Sequence, residues 1–238
     1  MQQDRIYDMP RERDKWLSAA FPALMRKVYV WMTLALVITA VTAYGVASSP
    51  NIVMALYSSK AVMWGLVIAE LAIVIGVTAA INRLSLTTAT MLFILYSIIN
   101  GAMLSSVFLL FSTTVITQTF LVTAGTFGAM AVIGYTTKTD LTSMGKILLM
   151  ALIGLIIATI VNMFVQSSGF DLIISYVGVL IFVGLTAYDS QKIKEMLATC
   201  DDMNDSTQKL ALMGSLTLYL DFINLFLYLL RIFGRSEK

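Results

Sequence analysis

The stretch Ile147-Leu148-Leu149-Met150-Ala151-Leu152-Ile153-Gly154-Leu155-Ile156-Ile157-Ala158-Thr159-Ile160-Val161-Asn162-Met163-Phe164-Val165 contains no charged residue. A helix needs about 20 mainly apolar residues to cross the hydrocarbon core of a bilayer. One such run marks a membrane span, and the rest of the chain repeats the pattern. Apolar runs at 27–48, 61–81, 87–109, 116–136, 146–166, 172–194 and 208–232 predict seven transmembrane helices. Polar breakers separate them: Ser48-Ser49-Pro50-Asn51, Asn82-Arg83-Leu84-Ser85, Thr136 to Asp140, and Gln166-Ser167-Ser168-Gly169. Composition agrees. The chain is 58% hydrophobic and 13% charged, where a soluble domain carries about a quarter charged residues. The expected fold class is all-α, a polytopic membrane protein in a lipid bilayer. Residues 1–26 are read as a cytoplasmic N-terminal segment and residues 27–234 as a seven-helix transmembrane domain.

The charges set an orientation and remove several functions. With the N-terminus inside, the inner segments hold twelve Lys and Arg residues and the outer segments four. That asymmetry favours N-in, C-out. The basic tail (Arg231, Arg235, Lys238) fits this less well, and a re-entrant last run would return it to the inside. A net charge of +2, spread over helix ends, gives no nucleic-acid face. Residues 2–15 mix acids and bases and lack the apolar core of a cleavable signal, so the first span is expected to direct insertion. Histidine is absent, which removes the usual near-neutral titrating side chain. Cys200 is the single cysteine, so no intrachain disulfide and no cysteine-rich metal site can form. A hydrolase is disfavoured by the lack of a Gly-x-Ser-x-Gly elbow and a His-Glu-x-x-His helix. The protein is expected not to be an enzyme.

Small residues suggest packing faces: Ala124, Gly128 and Ala131 in the fourth span, and Gly154, Ala158 and Asn162 in the fifth. The 15 methionines read as packing and lipid contact rather than a metal path.

The informative residues are ionisable ones inside apolar runs. Glu70, Asp189 and Asp221 each lie in or at the edge of one. A charge at the centre of a spanning helix costs about 2.5–3.5 kcal/mol on insertion scales. Such residues face the bundle interior, pair, or stay protonated, and a functional role is the default reading. Asp189 and Asp221 lie on the sixth and seventh spans, an antiparallel hairpin joined by a connection of roughly 13 residues. If the carboxyls meet, they share a proton and titrate as a unit. That would make a pH switch without histidine. The other reading is that each caps or hydrogen-bonds separately, and the sequence leaves both open. Arg83 reads equally as a snorkelling anchor or as a counter-ion to one of the two aspartates. Glu70 lines a cation entry or is protonated and packed. Arg231 reads as an outer interfacial anchor.

Three segments carry a resemblance. Gly184-Leu185-Thr186-Ala187-Tyr188-Asp189-Ser190-Gln191-Lys192-Ile193 resembles the signature of the transmembrane Bax inhibitor motif family. Leu216-Thr217-Leu218-Tyr219-Leu220-Asp221-Phe222-Ile223-Asn224-Leu225-Phe226 resembles that family's last helix. Arg83-Leu84-Ser85, followed by Tyr96 and Asn100-Gly101, is the third match. Order and spacing agree from the first span to Gly234. The resemblance implies seven helices with the last enclosed by the other six, and a pH-dependent calcium leak. It implies a paired-aspartate sensor at Asp189 and Asp221, with Arg83 bonded to it, and places Glu70 near an acidic position of the second helix. The short chain and the lack of a targeting segment point to a bacterial inner membrane.

The expected function is therefore a pH-sensitive calcium leak channel gated by Asp189 and Asp221. Calcium would be the permeant ion, held at most transiently by these carboxylates, and no tightly bound cofactor is expected. Calcium takes oxygen ligands, and the chain has no EF-hand loop. The alternative is a membrane-embedded regulator that binds a membrane protease or other membrane protein through residues 1–26.

Overall fold

The computed structural model describes residues 4–200 and 202–237, with side chains for 20–200 and 202–235. Asp201, Lys238 and the side chains of the N-terminal charged residues, Asp4 to Lys15, lie outside the described set. The described chain is helical: α1 (Asp4–Ala47), α2 (Pro50–Tyr57), α3 (Lys60–Ala80), α4 (Leu86–Leu110), α5 (Thr113–Thr136), α6 (Thr142–Val165), α7 (Ser168–Ala198) and α8 (Asp205–Phe233). A 3-10 turn, Gly234–Glu237, follows.

Seven of these helices are long and apolar enough to cross a membrane. They fall on the seven expected runs. In lipid every backbone polar group must be satisfied within the segment, and helices do this. Hydroxyls on the spans follow the same rule by bonding back one turn. Thr123 donates to the Thr119 carbonyl at 2.7 Å, Thr186 to Phe182 at 2.7 Å and Ser215 to Ala211 at 2.8 Å.

Three expectations are corrected. The polar connection before the last span is not 13 residues long. It runs only over 199–204, because α7 continues to Ala198. Gln191, Ile193 and Leu197 give this extension a buried face while Lys192 and Glu195 stay exposed, so it remains amphipathic past the apolar run. A short helix, α2, also lies between the first two spans. Pro50 begins it, where a missing N–H is harmless. The third correction concerns packing. An added Cβ on Gly128 or Gly154 would meet nothing within 4 Å. The buried ladder of α5 is Val115, Thr119, Thr123, Phe127 and Ala131. Asn162 acts as a cap, its Oδ1 accepting from the Ser167 amide at 3.2 Å.

Contacts divide the chain into two compact units. One comprises the chain up to Ser106 with Ile193–Leu216, and the other Val107–Lys192 with the chain from Thr217. Burial differs widely among the spans. The most apolar window of α8 is 67% buried, and that of α6 is 6% buried.

Candidate functional site

In the second unit, Asp189 of α7 and Asp221 of α8 come together. Their carboxyls are hydrogen-bonded to each other. Asp221 is 5% exposed and Asp189 is half-buried. A carboxylate only accepts, so a carboxyl–carboxyl bond needs one protonated partner. The Oδ2 of Asp221 is buried without a hydrogen-bond partner, as is the Ser190 hydroxyl beside Asp189. The cation that acts on Asp189 within this unit is Lys192, one turn further along α7. Its ammonium lies 5.6 Å from the centroid of the Tyr188 ring.

The packing that holds this turn of α7 explains much of the Gly184–Ile193 segment. Gly134 of α5 lies against the Ala187 backbone, so closely that a Cβ would collide with the Ala187 carbonyl. Gly145 of α6 lies flat against the Tyr188 ring. Gly184 leaves room for Leu148, which would sit 2.7 Å from an added Cβ. On α8, Phe222 packs edge-on against Phe120 and Phe127, with centroids 5.7 and 5.4 Å away. Such pairs are each worth about 0.5–1.5 kcal/mol beyond their area. Gln191 is 5% exposed and ties α7 to the loop between α5 and α6. Its Oε1 accepts from the Leu141 amide at 2.8 Å, and its Nε2 donates to the Thr139 carbonyl at 2.8 Å. Sequence reasoning missed Gln191, Gly134 and Gly145 as site residues. The signal available for Gln191 was its place inside the Gly184–Ile193 segment.

At the far end of the same helices, Arg231 pairs with Asp171 at 3.8 Å, both side chains about 40% exposed. An exposed pair of this kind contributes about 0–1 kcal/mol. The Arg231 guanidinium also lies 5.4 Å from the Tyr228 ring centroid. Arg235 donates to the Ser168 carbonyl at 2.7 Å.

The first unit holds a separate polar cluster. Glu70 of α3 is half-buried and bonds the Asn100 side chain of α4. Tyr96, one turn before Asn100, also bonds it. The Oε1 of Glu70 is buried and unpartnered. Gly101 permits α4 to approach α1, since a Cβ there would lie 2.6 Å from the Thr39 carbonyl. Tyr96, Asn100 and Gly101 thus share one region. Arg83 is exposed in the turn after α3, and its amide donates to the Ala80 carbonyl at 2.8 Å. Nearby, Lys209 donates to the Leu84 carbonyl at 3.1 Å and Lys27 to Gln208 at 2.6 Å.

No group of three or more His, Cys, Asp or Glu side chains gathers among the described residues. Two carboxylates meet only part of the six to eight oxygen ligands that calcium takes. Outside the spans, Asp140 accepts from the Thr142 amide at 2.8 Å. Hydrogen bonds from the Thr142 side chain and amide hold its carboxyl below the usual carboxylate range.

Seven helices long and apolar enough to span, two of which bring a pair of carboxyls together, define a polytopic membrane protein. Comparison with known families identifies the family. Residues 22–238 match the family described as "Inhibitor of apoptosis-promoting Bax1", and the chain belongs to it. An Escherichia coli K12 protein named "Inner membrane protein YbhL" is 48% identical over 220 residues, covering 92% of this chain and 94% of that one. An uncharacterized protein of Borreliella burgdorferi is 46% identical over 214 residues, covering 90% and 92%. One of Rickettsia prowazekii is 41% identical over 229 residues, covering 94% of each.

Proposed function

We propose that this protein is a pH-sensitive calcium leak pathway of a bacterial inner membrane, with its N-terminus cytoplasmic, gated by the Asp189–Asp221 pair. The observation that carries the reading is the direct bond between two carboxyls on different spans, with Asp221 buried. With one shared proton the pair carries a single negative charge and draws α7 and α8 together, which is the closed state. Loss of that proton leaves two like charges in contact and favours their separation. Gating thus follows proton occupancy of the pair. Separated carboxylates offer calcium a weak oxygen site suited to passage rather than storage. Glu70, with its unpartnered Oε1, is a second acidic group on the cation pathway. The counter-ion role that the family resemblance implies for Arg83 is part of the proposal, and Arg83→Gln tests it in the assay below.

The test is calcium flux into vesicles holding the purified protein, recorded across a range of pH. Asp189→Asn and Asp221→Asn should each flatten the pH profile. A profile identical to that of the parent in both variants defeats the gate. The inner-membrane YbhL relative gives the location of a similar protein and favours neither a channel nor a regulator. The regulator reading rests on residues 1–26: on that reading their deletion removes partner binding from a protein that conducts poorly, whereas a channel keeps its flux.

A further inference from the structure

We infer that Gln191 is a positioning residue for the Asp189–Asp221 pair, coupling it to the loop that joins α5 and α6. This deepens the proposed gate and rests on it for its functional meaning, although its geometry stands separately. Gln191 follows Asp189 by two residues, about 200° around the helix. The two side chains therefore leave α7 on nearly opposite sides. Asp189 bonds Asp221 of α8, while Gln191 bonds the backbone of residues 139 and 141 with both ends of its amide. The same turn is bracketed by Gly134 against Ala187 and Gly145 against Tyr188.

Rotation of α7 that parts the carboxyls must also pull the Gln191 amide from its two partners. The side-chain amide of Gln191 is itself buried, and a buried amide is expensive to leave unpaired. Gln191 is thereby a latch on the pair, and the loop is the piece it is latched to. The loop and the start of α6 carry exposed Lys138, Asp140 and Lys146. On α7 itself the charged neighbour of Asp189 is Lys192, and on α8 it is Asp221. Gln191 is uncharged, so its effect on the pair is through position.

The test uses the full chain in lipid vesicles. The infrared band of the protonated carboxyl is followed against pH, assigned by its loss in Asp189→Asn and Asp221→Asn. Gln191→Met keeps the side-chain volume and removes both bonds. It should displace the midpoint of that titration by about half to one pH unit, a three- to tenfold change in proton affinity. Leu141→Pro removes the N–H that Gln191 accepts from. It should give a smaller displacement in the same direction, and it keeps the test open should Gln191→Met fail to insert. An unmoved midpoint in either folded variant overturns the positioning role and leaves Gln191 as packing. A parent whose calcium flux is flat against pH, with a carboxyl midpoint that still moves in Gln191→Met, removes the leak reading and keeps the latch.

Discussion

Helices α6 and α8 are both membrane spans, yet their surroundings are opposite. The more apolar of the two, α6, buries 6% of its most apolar window, and α8 buries 67%. In water the ranking would be reversed, because apolar burial drives folding there. Lipid tails are as apolar as leucine, so hydrophobicity gives a spanning helix no reason to prefer the interior. Need for a partner decides instead. Asp221 requires another protein group, and its helix is enclosed to supply one. Helix α6 has no such residue along its span, and Phe164 (83% exposed) and Met150 (64% exposed) face outward.

This contrast fixes an order of expected effects. The largest is Phe222→Ala on α8. The transfer contribution is small in lipid, so the loss comes from the cavity, about 2 kcal/mol, and two aromatic pairs of about 0.5–1.5 kcal/mol each. Phe164→Ala on α6 should stay within about 0.5 kcal/mol of the parent. Thermal unfolding in matched lipid or detergent checks both, and equal losses would erase the distinction between the two helices. Next come the glycines. Gly134→Ala drives a methyl group into the Ala187 carbonyl and should cost about 1–3 kcal/mol. Gly154→Ala meets open space and should gain about 0.5–1 kcal/mol from helix propensity. The same melts report whether the two changes have opposite sign.

The smallest effect lies at the start of α6. Asp140 is exposed, and its carboxyl is held below its ordinary value by Thr142. A lowered folded-state value means that its contribution is present above the ordinary carboxylate range. It is lost as pH falls through the lowered value. Hydrogen exchange of the Thr142 amide should quicken over that acidic interval and stay slow above it. Asp140→Asn should remove this acid dependence.

Much of the fold was legible because span length is a physical requirement. The run 146–166 became Thr142–Val165 and the run 172–194 became Ser168–Ala198. Helix α2 was hidden, since eight residues beside Ser58-Ser59 neither span nor show a buried face. The end of α7 was hidden because its polar residues read as a loop, although Ile193 and Leu197 continue the helical period. Within the site, the aspartates announced themselves as charges where charge is costly. Gln191 did not, because a neutral amide at the edge of a polar stretch carries no such penalty. Glycine spacing failed for a different reason. A small residue permits close approach, but which surface comes close is a property of the partner. Hence Gly134 and Gly145 are contacts, while Gly128 and Gly154 have open space where a side chain would stand.

The turn between α6 and α7 has a mechanical consequence. It consists of residues 166 and 167 alone, with Gln166 in a left-handed conformation at φ 53°. Arg231 of α8 and Arg235 of the turn after it also contact the beginning of α7. A swing of α7 would pivot at that end. From Ser168 to Asp189 the helix forms an arm of about 32 Å, and a swing of only about 5° moves its tip by about 3 Å, the length of one hydrogen bond.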